Sequence, residues 1–565
     1  MMIDLTAKPF ELDTTACRWV YDTLAGMTEK EKVGQLFCEI LWDRPEAKPE
    51  QLFGEIEPGA IMYRPFSGAR MLETTGILQS AAKIPLLIAC NLERGGSGGN
   101  GGLTDGTYVA SPMGAAATDD PMQEYHLGLV AAREGAAAGV NWTFEPIVDI
   151  DFNCENPITN VRTFGSDPER VIAMAKAYID ACREHEVAVT IKHFPGDGVD
   201  YRDQHLLASV NSLSIKRWYE TYGRVYQELI DYGAQTLMSA HIMQPALTRE
   251  VNPEIRDEDI LPASLSRELN LGIIREKMKF NGVIVTDATQ MVGFTCSMPR
   301  AKAVPVAIAN GADMFLFTIN QKEDVGYMLD GVHNGIISPE RLDEAVTRVL
   351  ALKASIGLHR KKLIPEPSGL SVLQCPEHLD WAKEVAEKAV TLVKDKEGLL
   401  PLSPEKNRRV KLIMITNEKV EKGDYLPEIK HFKTLLEKEG FEVGYFNNAV
   451  CPGVETSIAE FRKETDLIIY LANMKVGSNQ TTIRITWDDF LGEDSPKYVC
   501  DIPTLFISLS NPYHLVDVPM VRTYINAYTC NKTTVEAVLE KIMGRSVFQG
   551  ISPVDPFGGL WDARW

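Results

Sequence analysis

The feature that most constrains this chain is a recurrence through its first 355 residues: short, nearly unbroken apolar runs, each followed by a stretch with helical spacing. The runs are GAIMYR (59–64), PLLIACN (85–91), WTFEPIVDI (142–150), VAVTIKHF (187–194), TLMSAH (236–241), GVIVTD (282–287) and DMFLFT (313–318). Strands without polar alternation are buried on both faces, as parallel strands covered by helices are. Between them, PERVIAMAKAYIDACREH has the marks of a helix, with Asp167 placed to cap it and Pro168 in its first position. Seven such units predict a (β/α)8-type barrel over residues 1–357, with room for an irregular first strand.

The pattern then breaks and restarts. IGLHRKKLIPEPSGLSV, basic and Pro-containing, leads into a linker set at 358–376. Residues 377–565 begin with an expected helix (377–394) and continue through strands VKLIMIT (410–416), FEVGYFN (441–447), DLIIYLA (466–472), PTLFISL (503–509) and TYINAY (523–528). Strands alternating with helices such as EIKHFKTLLEKEG predict a smaller, open three-layer α/β/α sandwich.

Composition serves mainly to exclude. A chain of 565 residues is longer than one core usually serves, in keeping with two domains. Its formal charge of -20 opposes a nucleic-acid or anionic-membrane partner, which would demand clustered Lys and Arg. The ten cysteines include no C-x-x-C pair and read as reduced core thiols. MMIDLTAKPFELDTT has no basic start followed by an apolar run, and no stretch approaches about 18 apolar residues, so a cytoplasmic protein is expected.

A barrel carries its chemistry at the C-terminal ends of its strands, and there the ionisable residues gather. KHFPGDGVDYRDQH (192–205) follows one strand, and Asp287, His241 and the pair Asp149 and Asp151 end others. Asp203 and His205 are one residue apart, a spacing that in extended backbone puts both side chains on one face. The carboxylate then fixes the imidazole tautomer and stabilises its cation, as a general acid/base requires; a surface loop pair is the plain alternative. Asp287 ends GVIVTD, where packing does not ask for a carboxylate, though capping a helix near Thr289 would explain it equally. Lys192 and His193 sit just before the Pro195-Gly196 break, which lets both turn toward a ligand.

The Gly-rich run ERGGSGGNGG (93–102) lacks the phosphate-loop pattern and reads as a flexible active-site loop. Histidines 193, 205 and 241 have no spacing that supports zinc, and no metal is expected.

KHFPGDGxDxRDQH resembles the KHFPGHG...DSH signature of the β-N-acetylglucosaminidase branch of glycoside hydrolase family 3. EKVGQLF, PLLIACNLERGG, FEPIVDIDFNCENPITNVRTFG, MSAHI, PASLS, GVIVTD, AIANGADMFL and AVTLVKDKEGLLPL follow in the same order along nearly the whole chain. The resemblance implies Asp287 as a nucleophile that forms a covalent glycosyl-enzyme and retains configuration. It implies His205 as acid/base with Asp203 as its partner. Arg162, Lys192 and His193 would hold the sugar, with Asn91 standing where relatives carry a hydroxyl-gripping Asp, and no cofactor would be needed.

The expected function is removal of a terminal β-linked GlcNAc, with a small carbohydrate as the partner and a homodimer left open. An imidazole in place of a second carboxylate also admits phosphate as acceptor, giving a phosphorylase; a sugar-binding protein without turnover is the third reading. Departures from the family pattern at Asn91, Arg94, Asp197 and the TDAT segment leave the sugar open.

Overall fold

The computed structural model describes residues 3–43, 49–97, 102–360, 364–421, 423–446, 457–487 and 494–565. Parts of ERGGSGGNGG, of the 358–376 linker and of FEVGYFN lie outside the described residues. The chain divides into two compact units, the first comprising 1–108, 124–153 and 168–379, the second 109–123, 154–167 and 380–565.

Eight parallel strands organise the first unit: β1 (Phe37–Leu41), β2 (Ala60–Tyr63), β3 (Leu87–Cys90), β4 (Trp142–Thr143), β5 (Thr190–Phe194), β6 (Thr236–Ser239), β7 (Val283–Thr286) and β8 (Phe315–Leu316). They pair in the orders β8-β1-β2-β3-β4 and β5-β6-β7. Single parallel bridges join the two runs, Trp142 with Ala188 and Ile147 with Lys192 on one side, Val285 with Met314 on the other. The strands thus close on themselves as a (β/α)8-type barrel.

The barrel interior is tied by a buried polar knot. Trp142 Nε1 donates to Thr190 Oγ1 (2.9 Å) and Thr236 Oγ1 (3.2 Å), linking β4, β5 and β6. Outside, the helix Pro168–Arg183 buries Val171, Ala175, Tyr178 and Cys182 along one stripe, and the Tyr178 hydroxyl donates to Leu92 O just past β3 (3.0 Å).

Two strands depart from the pattern expected of the sequence. FCEIL forms β1 although Glu39 interrupts its apolar run; that side chain is buried against Thr318 and Gln321. WTFEPIVDI keeps only two residues as strand, in keeping with Pro146 having no N–H to donate.

The second unit holds a six-stranded sheet: β9 (Thr391–Asp395), β10 (Arg409–Thr416), β11 (Glu442–Tyr445), β12 (Leu467–Asn473), β13 (Thr504–Ser508) and β14 (Thr523–Asn526), in the order β9-β14-β13-β12-β10-β11. All its pairs are parallel except β9 with β14. Successive residues of β10 point to opposite faces. Leu412 packs with Ile429, Phe432, Leu436, Val535 and Val538 in one layer, and Ile413 with Phe461, Leu515 and Val518 in the other. This is the three-layer sandwich.

The helix expected over 377–394 spans only Pro376–Ala389, because Thr391-Leu392-Val393 is β-prone and pairs as an antiparallel edge strand. The compact units also differ from a division into contiguous stretches. Ser111 N and Oγ donate to Thr529 Oγ1 (3.0 Å) and Tyr528 O (2.9 Å), Asn160 bonds Asn511 (3.2 Å), and Met113 and Val161 pack with Tyr513 and Tyr528. These contacts draw 109–123 and 154–167 into the second unit.

Candidate active site

The site builds up from β5. The pairing of β5 with β6 slips between Ile191 and Phe194, so regular alternation fails at Lys192 and His193. Lys192 Nζ donates to Glu145 Oε1 at 3.0 Å, with both side chains almost fully buried. His193 Nδ1 lies 2.6 Å from Asp149 Oδ2, while the backbone N–H groups of His193 and Asp197 donate to Asp149 Oδ1 at 3.1 and 2.8 Å. With Asp149 accepting, Nδ1 carries the proton and Nε2 is the atom left for a ligand.

The following turn is pinned by close approach. Gly196 and Gly198 have φ of +114° and +101°; a Cβ would fall 2.1 Å from the Tyr222 ring at the first and 2.1 Å from Ile150 O at the second. The Tyr222 hydroxyl sits between the carbonyls of Asp197 (2.5 Å) and Ile150 (3.0 Å). Asp197 Oδ1 accepts from Gly198 N at 2.7 Å, so this residue shapes the turn.

Asp203 and His205 are joined, though not through extended backbone. Residues 203–206 form a turn closed by Leu206 N donating to Asp203 O (3.0 Å), in which Asp203 Oδ1 accepts from His205 N (2.9 Å) and lies 2.6 Å from its Nδ1. Asp203 is enclosed while the imidazole is 21% exposed, and Nδ1 is the ring nitrogen turned to the carboxylate. Three ties fix the loop. Arg202 grips Asp200 through Nε and Nη2 (2.9 and 2.7 Å), His241 N donates to Gln204 Oε1 (2.9 Å), and Val292 N donates to His205 O (3.0 Å).

That last bond joins the His205 loop to the segment after β7, where Asp287 stands. Asp287 N donates to Ser239 O (2.9 Å), and its Oδ1 accepts from Ala288 N (2.7 Å). The next helix, Val292–Thr295, has Met291 at its cap position, so helix capping does not explain this carboxylate. Burial pushes the Asp287 carboxyl up. The positive fields of His193, His241 and His205, with the Ala288 N–H, outweigh burial and hold it below the ordinary aspartate range.

Burial lowers the pKa of His241, and the charge of Asp287 opposes that shift. Its Nε2 donates to Ala288 O (3.0 Å), and its Nδ1 lies 2.8 Å from the Ser264 hydroxyl, fixing the segment after Asp287. Two residues escaped the sequence reading: Glu145, the partner of Lys192, and Arg64, which follows β2 with its guanidinium 5.1 Å from the Trp42 ring centre; Asp149, already placed at a strand end, is the partner of His193. Burial lowers the Arg64 pKa, opposed by the charge of Asp287. GAIMYR, ending in a cation where a strand meets the barrel mouth, was the available signal.

The structure therefore brings Asp203, His205, Lys192, His193 and Asp287 together in the first unit. Asn91 directly follows β3, half-buried, beside Leu92 and the buried Glu93. Arg162 falls in the second unit, where its Nη1 donates to Ile158 O at 3.1 Å. Among the described residues no group of three or more His, Cys, Asp or Glu side chains is arranged to hold a metal ion, and no helix is long and apolar enough to cross a membrane.

Comparison with known proteins gives the family. Residues 29–352 match the Glycosyl hydrolase family 3 N terminal domain. The chain is 44% identical over 566 residues to a β-N-acetylglucosaminidase/β-glucosidase of Cellulomonas fimi, covering 100% of each chain. Among solved structures, a β-glucoside phosphorylase, BglX, bound to 2FGlc is 60% identical, with a TM-score of 0.96 over 98% of this chain and 99% of the other. A family 3 β-N-acetylglucosaminidase from Paenibacillus sp. str. FPU-7 is 25% identical, with a TM-score of 0.78 over 95% of this chain and 100% of that one. From the closed barrel, its strand-end carboxylate and imidazoles, and these matches, the chain belongs to glycoside hydrolase family 3.

Proposed function

We propose that the protein cleaves terminal β-glycosidic bonds with retention, through a covalent intermediate on Asp287, and passes the sugar preferentially to phosphate. The reading rests on one observation: a carboxylate held ionised by three imidazoles, one of which, His205, is backed by the enclosed Asp203. In the first step Asp287 attacks the anomeric carbon as protonated His205 gives its Nε2 proton to the departing glycosidic oxygen. The products are a glycosyl ester and the free alcohol. In the second, neutral His205 takes a proton from the acceptor, whose oxygen attacks the anomeric carbon and releases the Asp287 carboxylate. Two inversions restore the β configuration.

The acceptor choice is electrostatic. Two like charges 4 Å apart at an effective dielectric near 20 repel by about 4 kcal/mol, enough to turn an anion away from a carboxylate base. Here the acceptor meets an imidazole, with the Asp203 charge behind the ring on the Nδ1 side. Esterification of Asp287 removes the negative charge nearest the reacting carbon, and the Arg64 cation remains. The 60% identity to a β-glucoside phosphorylase supports the same reading and favours glucosides as donors.

Hydrolysis of terminal β-linked GlcNAc is the second reading, supported by the name of the Cellulomonas fimi relative. The deciding measurement is product analysis on 4-nitrophenyl β-glucoside and β-GlcNAc with and without phosphate. A rate rise of about tenfold or more with phosphate, and sugar 1-phosphate in place of free sugar, is expected. Free sugar formed at a phosphate-independent rate would assign hydrolysis, and full activity in Asp287→Ala would refute the nucleophile.

A further inference from the structure

The helix Glu268–Lys277, with Arg267 at its start, and the helix Pro339–Ser355 line one cavity of about 350 Å³. It lies at the N-terminal ends of the strands, away from Asp287. Arg275 Nη1 donates to Phe280 O and Gly282 O (2.7 Å each) just ahead of β7, and Asp313, behind the wall, stands just before β8. Four arginines line the cavity, Arg267, Arg275, Arg341 and Arg348, against two glutamates, Glu276 and Glu344. The buried Asp313 accepts from Arg275 Nη2 (2.5 Å) and Arg341 Nη2 (2.6 Å), and Glu344 lies 2.8 Å from Arg348 Nη2. Charges at this end of a barrel ordinarily serve stability, and a purely structural cluster would pair them all. Here positive charge is left over. Among the described residues Arg267 is exposed and makes no ion pair, and Arg348, 2% exposed, has a buried Nε with no hydrogen-bond partner. Burial and then the field of Arg348 lower the Arg275 pKa to about 9, although Asp313 opposes them. Guanidiniums crowded around one space repel unless an anion lies among them.

We propose that this cavity binds a phosphate group, free or as the monoester of a sugar, with Arg267 and Arg348 supplying the unclaimed donors. Arginine forks match phosphate oxygens in both geometry and charge. The volume falls in the range of about 300–1,000 Å³ common to small-molecule sites, and Leu271, Ala309 and Ile336 add an apolar wall for a carbon body. The site is separate from the catalytic end of the barrel and does not rest on the reading of the reaction.

The test is calorimetric titration of the full-length protein with inorganic phosphate and with glucose 6-phosphate, in wild type, Arg267→Glu and Ile336→Trp. Arg267→Glu reverses an exposed charge at the cavity, and Ile336→Trp fills space without changing charge. Wild type should bind at least one of the two probes. Each variant should weaken that binding about tenfold or more, while its turnover of 4-nitrophenyl β-glucoside stays within about twofold of wild type. Glucose 6-phosphate binding about tenfold or more tighter than inorganic phosphate assigns the monoester; equal or tighter binding of inorganic phosphate assigns the free ion. Absence of binding by both probes, or binding unaltered in both variants, would overturn the site and leave the functional reading standing.

Discussion

Asp203 is enclosed, and its Oδ1 meets both the backbone N–H and the Nδ1 of His205, so its charge bears on that imidazole. Asp203→Asn keeps the shape and removes the charge. We expect kcat/KM to fall about a hundredfold or more on donors that need protonation, and much less on 2,4-dinitrophenyl glycosides. A similar loss on both would show that Asp203 only holds the loop. Asp287 titrates below the ordinary value of 3.8. If Asp287 is the nucleophile proposed above, its ionised form persists as pH falls and the acid limb of kcat/KM should lie below that value; a limb at pH 5 would contradict the field of imidazoles. Glu39 runs the other way. Burial raises its carboxyl from 4.5 to about 7, against the hydrogen bonds from Thr318 and Gln321. A carboxyl raised on folding binds more protons folded than unfolded, so stability falls between pH 4.5 and about 7. Glu39→Gln should flatten that slope in urea titrations at a series of pH values, by an amount on the order of 2–3 kcal/mol across the window.

The helix that follows Asp287 and the loop that carries His205 touch through Gly293. A Cβ there would fall 2.6 Å from Gln204 O and 2.7 Å from Leu207 O, both backbone atoms with little room to yield. Gly293→Ala should therefore displace the acid/base loop and lower kcat more than it lowers thermal stability; an unchanged kcat would mean the loop adapts. What was legible in the sequence was local. Asp203 and His205 are near neighbours, Lys192 and His193 adjoin a Pro-Gly break, and Asp287 ends an apolar strand. The partners of the same groups were hidden, because Glu145 and Asp149 meet Lys192 and His193 from 47 and 44 residues away. Strand β1 was obscured by Glu39, whose burial depends on Thr318, 279 residues distant. Strand β9 was absorbed into a helix because an edge strand needs only half the apolar pattern of a central one.

The chain moves between its two units after residues 108, 123, 153, 167 and 379. The helix Pro112–Ala117 and the turn Asn160–Arg162 belong with a sheet whose strands begin only at Thr391. Residues 1–379 expressed alone would leave Met113 and Val161 without Tyr513 and Tyr528, and Ser111 without Thr529. Such a fragment should be poorly soluble or lack a cooperative thermal transition. A monodisperse fragment melting like the full chain would show that the two excursions are dispensable.

This interleaving also sets an order in time. During synthesis the segments 109–123 and 154–167 leave the ribosome long before residues 380–565 exist to receive them. The nascent chain must carry both segments unburied until the last fifth is nearly made, so a premature stop there costs the organism the whole enzyme rather than one domain.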